Sequence, residues 1–280
     1  PILGNEVTEL FGKEFQETMG GAYVLVPQSP TKWSDSGTGV IYSTGHQQNE
    51  DKPGDPVTDS MYVTALTELI KNYVATHPDV DPNRILIGGC SNGGYMTTRM
   101  LIAMPEYFAG AYLNSESFAD AYLSDEFIQS LIDDQIGLWY VYCKNDNVAL
   151  SSVPTTARLE KKENFHVNVY DSVIDESGRY TDAEGNPHKY SDHWAWIYFF
   201  NGETADGELT EWQWMAKQAR TPATTPDNGG TTGGQTGGNT TGGTTPNVGI
   251  YNNAAYVAVA TVALAGAAYV AFKKKERLIK

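Results

Sequence analysis

The sequence predicts an α/β fold, a mostly parallel sheet flanked by helices. Three observations carry that expectation. Short apolar runs alternate with segments whose apolar residues recur at helical spacing. One run passes through a Gly-rich turn directly into a helical segment, as strand-to-helix crossovers do. The length of 280 residues suits one α/β domain with a core of its own, followed by a tail.

The elements follow in order. Ala22–Val26 is a compact apolar run stopped by Pro27 and reads as a buried strand. Residues 28–58 are rich in Ser, Gly, Pro and Asp and read as a long loop. Tyr62, Leu66, Leu69, Ile70, Tyr73 and Val74 share one helical face; Thr58 or Asp59 can cap that helix, and His77-Pro78 ends it. Arg84–Gly88 is a strand, and a helix runs from about Gly93 to Met104. Ala109–Leu113, Leu138–Cys143 and Val167–Val173 read as further strands. Ser124–Ile132, Pro154–Lys162, His193–Phe200 and Leu209–Lys217 read as helices.

The domain organisation changes sharply after residue 220. Residues 221–250 are almost all Thr, Gly, Pro and Asn; with nothing apolar to bury, they read as a solvated linker. Residues 251–272 hold a charge-free run, Ala254–Phe272, which as a helix would reach about 28 Å, close to a bilayer core. Tyr251, Tyr256 and Tyr269 sit near its ends, at headgroup level. Residues 273–280, KKKERLIK, form a basic tail, so the expectation is a single transmembrane helix with that tail in the cytoplasm and residues 1–250 outside the cell. Linker, apolar run and basic tail resemble the C-terminal sorting region of Gram-positive surface proteins. Thr245-Pro246-Asn247-Val248-Gly249 stands where the usual Leu-Pro-x-Thr-Gly pentapeptide would be and does not match it.

Charge and cysteine content narrow the function. Lys and Arg number 19 against 34 Asp and Glu, a net charge of −15. Such a surface repels phosphate backbones, which argues against nucleic-acid binding. Two cysteines, Cys90 and Cys143, cannot build a disulfide framework, and no Cys/His spacing suggests a metal site.

The chemistry is concentrated in one turn and two loops. Gly89-Cys90-Ser91-Asn92-Gly93 fits the Gly-x-Ser-x-Gly nucleophile elbow and lies between a predicted strand and a predicted helix. Serine at the tip needs a strained turn, and flanking glycines let neighbouring backbone approach. The N–H of Asn92 then points at a developing oxyanion. A serine nucleophile needs a base held by an acid. His193, on a loop ahead of Trp194-Ala195-Trp196, is the expected base; His188 is the runner-up, and His166 opens a strand. Asp146, just past an apolar strand end, is the expected acid, with Asp171 and Asp175 as rivals; Asp192 adjoins His193 and is poorly placed to orient it. Trp33 and Trp194 are candidates for an aromatic wall against a sugar or phenolic group.

Gly88-Gly89-Cys90-Ser91-Asn92-Gly93-Gly94-Tyr95-Met96-Thr97 resembles the elbow of the secreted polyhydroxybutyrate-depolymerase-like and feruloyl- or acetylxylan-esterase-like α/β-hydrolases, often labelled prolyl-oligopeptidase-like. Asp81-Pro82-Asn83-Arg84-Ile85, Lys144-Asn145-Asp146-Asn147-Val148 and His193-Trp194-Ala195-Trp196-Ile197-Tyr198 carry the same resemblance. It implies an α/β-hydrolase fold with Ser91, Asp146 and His193 as the triad and no cofactor. It further implies an ester substrate, including esters of plant polysaccharides or phenolic acids. The family carries a strand ending in His-Gly ahead of the region resembling Gly4–Thr8, and that strand supplies a second oxyanion donor. The expectation here is that these first strands lie upstream of Pro1. The alternatives are a prolyl-oligopeptidase-type peptidase with the same triad, and a non-catalytic surface binding protein on a hydrolase scaffold.

Overall fold

The computed structural model describes residues 7–37, 60–175, 177–178, 180–221 and 255–262. Its centre is a six-stranded, all-parallel sheet. In chain order the strands are β1 (Ala22–Leu25), β2 (Val80–Cys90), β3 (Gly110–Asn114), β4 (Gly137–Cys143), β5 (Phe165–Tyr170) and a C-terminal strand, Ala255–Val262. A two-stranded antiparallel ladder, β6 (Ala205–Asp206) and β7 (Leu209–Thr210), precedes that last strand, which is therefore β8. The order across the sheet is β1-β8-β2-β3-β4-β5.

Alternation along the central strands builds two cores. Ile85, Ile87, Ala111, Leu113, Leu138 and Tyr140 enter one cluster. Leu86, Tyr112, Trp139 and Val141 enter the other. A parallel sheet buried on both faces needs continuous apolar strands, and these runs are continuous. On the first face lie α2 (Val63–Thr76), α3 (Asn92–Ala103) and α4 (Asp125–Asp133), presenting Leu66, Ile70, Tyr95, Met96, Met100, Ile128 and Leu131. On the second lie α1 (Lys13–Met19), α6 (Trp196–Phe200) and α7 (Glu211–Met215), with Phe15, Phe199 and Trp214 among their buried rings. The short α5 (Val153–Arg158) follows β4.

Local chemistry sets the element ends. Ser124 caps α4 by accepting from the Phe127 N–H at 3.1 Å, and Thr210 and Gln213 form a capping box on α7. Gly20 closes α1 at φ 71°, a conformation a Cβ disfavours. The predicted α2 cap, Thr58 or Asp59, lies outside the described residues, as do most of the predicted loop 28–58 and the linker.

Several elements differ from the sequence expectation: Leu209–Thr210, expected in a helix, form β7, and the strand expected over Val167–Val173 runs from Phe165 to Tyr170. No helix was expected before β1, yet Phe15 and Met19, four apart and fully buried, anchor α1. The larger difference is at the C-terminus. Residues 255–262, inside the run expected to form a membrane helix, are strand β8, paired in parallel with β1 on one side and β2 on the other. Among the described residues no helix is long and apolar enough to cross a membrane. The physical reason is legible in AYVAVATV: Val257, Val259, Thr261 and Val262 are β-branched. Apolar character alone does not separate a buried strand from a helix.

Candidate active site

The site is assembled at the C-terminal ends of β2, β3 and β4. Strand β2 ends at Cys90, and α3 starts at Asn92. Ser91 between them is held at φ 55°, ψ −117°, a strained conformation for a residue with a Cβ. The strain is maintained from several sides. The Ser91 N–H donates to Asn114 O at 2.9 Å, the Tyr95 N–H donates to Ser91 O at 3.0 Å, and Ser117 Oγ donates to Ser91 O at 3.1 Å.

His193 Nε2 lies 2.8 Å from Ser91 Oγ, and His193 Nδ1 lies 2.9 Å from each carboxylate oxygen of Asp146. A carboxylate only accepts, so Nδ1 carries the imidazole proton and Nε2 accepts from the serine hydroxyl. The imidazole sits in a 3-10 turn, Asp192–Trp194, and packs edge-on against Trp196 at 5.1 Å. Asp146 is 2 % exposed and also accepts from the Val148 N–H at 2.9 Å, which fixes its rotamer.

The rival residues are engaged elsewhere. Asp171 is exposed and paired with Lys144 at 2.6 Å. Asp175 is buried but accepts from the Ser177 N–H and hydroxyl and the Tyr180 N–H, holding its own loop. His166 Nδ1 lies 2.9 Å from Asp206 and its ring stacks on Trp139 at 4.4 Å. His188 is exposed and meets the edge of Tyr190. Cys90 and Cys143 are buried free thiols. Burial above all, then the negative charges of Asp192 and Asp146, pushes the Cys143 thiol up to about 12, so neither position offers a thiolate nucleophile.

Asn92 is the first residue of α3, where helix geometry leaves the backbone N–H without an intrahelical acceptor. Its side-chain amide donates to Ser34 Oγ at 2.9 Å. The tryptophans differ. Trp33 is 3 % exposed and packs edge-on against Tyr62 at 5.7 Å, inside the core and away from solvent. Trp194 is 43 % exposed and stands beside His193 in sequence, with Tyr190 and Trp196 at 6.1 and 6.3 Å. Three residues carried no motif signal: Ser34, Glu116 and Ser117 touch the elbow only through the fold. Among the described residues no group of three or more His, Cys, Asp and Glu is arranged to hold a metal.

Residues 60–166, which include the elbow and Asp146, match the model of the prolyl oligopeptidase family. The parallel sheet flanked by helices is consistent with an α/β-hydrolase. A poly(3-hydroxyalkanoate) depolymerase C from Paucimonas lemoignei is 35 % identical over 60 residues, 21 % of this chain and 14 % of that protein. A solved thermostable esterase shares 21 % identity at a TM-score of 0.43, covering 59 % of this chain and 40 % of the esterase. The chain therefore spans well under half the length of either protein. Strand β2 and α3 form the strand–turn–helix unit around Ser91, the turn after β4 places Asp146, and the segment after β5 places His193.

Proposed function

We propose that the protein is a serine hydrolase that cleaves carboxylic esters through an acyl-serine intermediate. The observation that carries the proposal is the unbroken chain from Ser91 Oγ through His193 to Asp146, at 2.8 and 2.9 Å. His193 Nε2 takes the proton as Ser91 Oγ attacks the ester carbonyl. Asp146 holds the imidazole and stabilises the cation it becomes. The Asn92 N–H donates to the oxyanion. The tetrahedral adduct collapses, His193 returns the proton to the leaving alcohol, and the acyl group remains on Ser91. Water then gives its proton to His193 and attacks the acyl carbon; the acid leaves and the serine recovers its proton.

The depolymerase named above acts on a polyester, which supports esters over peptides as the substrate class. Trp194, exposed beside the imidazole, offers a flat wall to a polymeric, sugar or phenolic ester. The peptidase reading is kept because residues 60–166 match the prolyl oligopeptidase family. A fluorophosphonate probe tests the class: labelling of the native chain at Ser91 is expected, and its absence overturns the hydrolase proposal. Nitrophenyl, acetyl and feruloyl esters, set against prolyl peptides, then separate esterase from peptidase.

A further inference from the structure

Glu116 is a buried acid that the reaction above does not use. It follows the end of β3, where Ser115 turns the chain through φ 46° and donates its N–H to Val141 O at 2.7 Å. The turn drives Glu116 beneath the elbow, where it is 3 % exposed. Thr98 Oγ1, on α3, donates to Glu116 Oε1 at 2.6 Å. Gly94, on the first turn of the same helix, lies so close that a Cβ there would meet Glu116 Cγ at 2.8 Å and Cα at 2.9 Å. On the other side Ser152 Oγ donates to Glu116 O at 3.0 Å. Ser152 closes the turn that starts at Asp146, where the Leu150 N–H donates to Asp146 O and the Ser152 N–H to Ala149 O. One residue thus touches both the helix behind the serine and the turn behind the aspartate.

We propose that Glu116 is a positioning residue: as an uncharged acid it clamps the serine-bearing helix to the Asp146 turn, and its ionisation loosens the alignment of Ser91, His193 and Asp146. The inference rests on the hydrolase reading. Groups from four elements face the carboxyl. Thr98 faces it from α3, Ser152 from the acid-bearing turn, Tyr140 from β4 and Asp120 from the 3-10 turn Asp120–Tyr122; of these Asp120 carries negative charge, itself paired with Arg158 at 2.8 Å. Burial, the dominant cause, pushes the Glu116 carboxyl up to about 8, against the opposing bonds from Thr98, Ser152 and the Phe118 N–H. Once ionised, the carboxylate needs water that the packed elbow does not admit, and the Gly94 contact must open.

The sign for stability follows. Folding raises this pKa from its ordinary 4.5 to about 8, so the folded chain holds the proton more tightly and loses stability as pH climbs through that window. Glu116→Gln keeps shape and hydrogen bonding without a titratable proton, and Glu116→Ala removes the carboxyl's bond to Thr98 and its packing at Gly94 while the Ser152 bond to the backbone carbonyl stays. With a short-chain nitrophenyl ester and the full chain, wild-type kcat is expected to fall above a pH of about 8. Glu116→Gln is expected to hold its kcat through that range, and Glu116→Ala to lose about 10- to 100-fold in kcat with KM little changed. Thermal unfolding gives the independent reading: the melting temperature of Glu116→Gln should rise relative to wild type between acid and pH 8. Parallel melting curves overturn the neutral acid. A rising melting offset with superimposable kcat profiles overturns the clamp. A wild-type chain that turns over no ester and takes no fluorophosphonate overturns the hydrolase reading instead, while the melting offset still decides the state of Glu116.

Discussion

At the scale of single residues the site is a relay in which each group is fixed by another. Ser91→Ala removes the one hydroxyl that the imidazole of His193 meets among the described residues, so ester turnover should fall by about 10⁶ with melting behaviour unchanged. Mass spectrometry after fluorophosphonate treatment checks it: label retained by the variant would locate the nucleophile elsewhere. Asp146→Asn leaves a near-isosteric side chain but favours the wrong imidazole tautomer, and kcat should drop by about 10⁴. Asp171→Asn is expected to leave kcat unchanged, because its carboxylate is exposed and paired with Lys144; a large loss there would reassign the acid. The elbow was legible in sequence because Gly-x-Ser-x-Gly is a local backbone requirement. The partners of a long-range bond are not. Ser34, fifty-eight positions from Asn92, and Glu116, eighteen from Thr98, are met only once the sheet brings strand ends together. Trp33 shows the converse: aromatic character marks it for a ligand or for the core, and the fold puts it in the core.

At the scale of elements, close approach between α3, β2 and β3 positions the serine. Gly88 and Gly94 matter for space, not for backbone freedom. A Cβ at 88 would lie 2.2 Å from the Tyr112 ring, and one at 94 would run into the backbone and side chain of Glu116. Tyr112 is fully buried and stacked on Phe199 at 4.6 Å, so it cannot swing away. Gly88→Ala should therefore cost several kcal/mol, beyond the usual 1–3 for overpacking, read as a lower denaturant midpoint. Gly94→Ala should cost less stability but lower kcat, since Glu116 must shift under the elbow; unchanged kcat would mean that the first turn of α3 does not position the serine. The elements legible in sequence were those with a strong period or an uninterrupted apolar run: β2, β3, β4 and α2. Helix α1 was not, because its seven residues bury only Phe15 and Met19, too few to set a period.

At the scale of the whole molecule, residues 255–262 can lie between β1 and β2 or within a bilayer, but not both at once. The membrane expectation rested on a charge-free run of nineteen residues and a basic tail. Strand β8 has structural consequences that a membrane span would not. It pairs with Ala22–Leu25 on one side and with Val80 and Ile85–Cys90 on the other, so removing it strips β1 of its partner and opens the edge of the strand that carries the elbow. Unpaired backbone groups of that kind cost about 1–3 kcal/mol each when buried, and several would be exposed together. Deleting residues 251–280 is therefore expected to abolish a cooperative thermal transition and ester turnover together, monitored by circular dichroism and by a soluble nitrophenyl ester. A deletion variant that melts as the full chain does, keeps its turnover, and moves from the membrane pellet to the supernatant would show that the run anchors the protein and that β1 and β2 are completed by another strand.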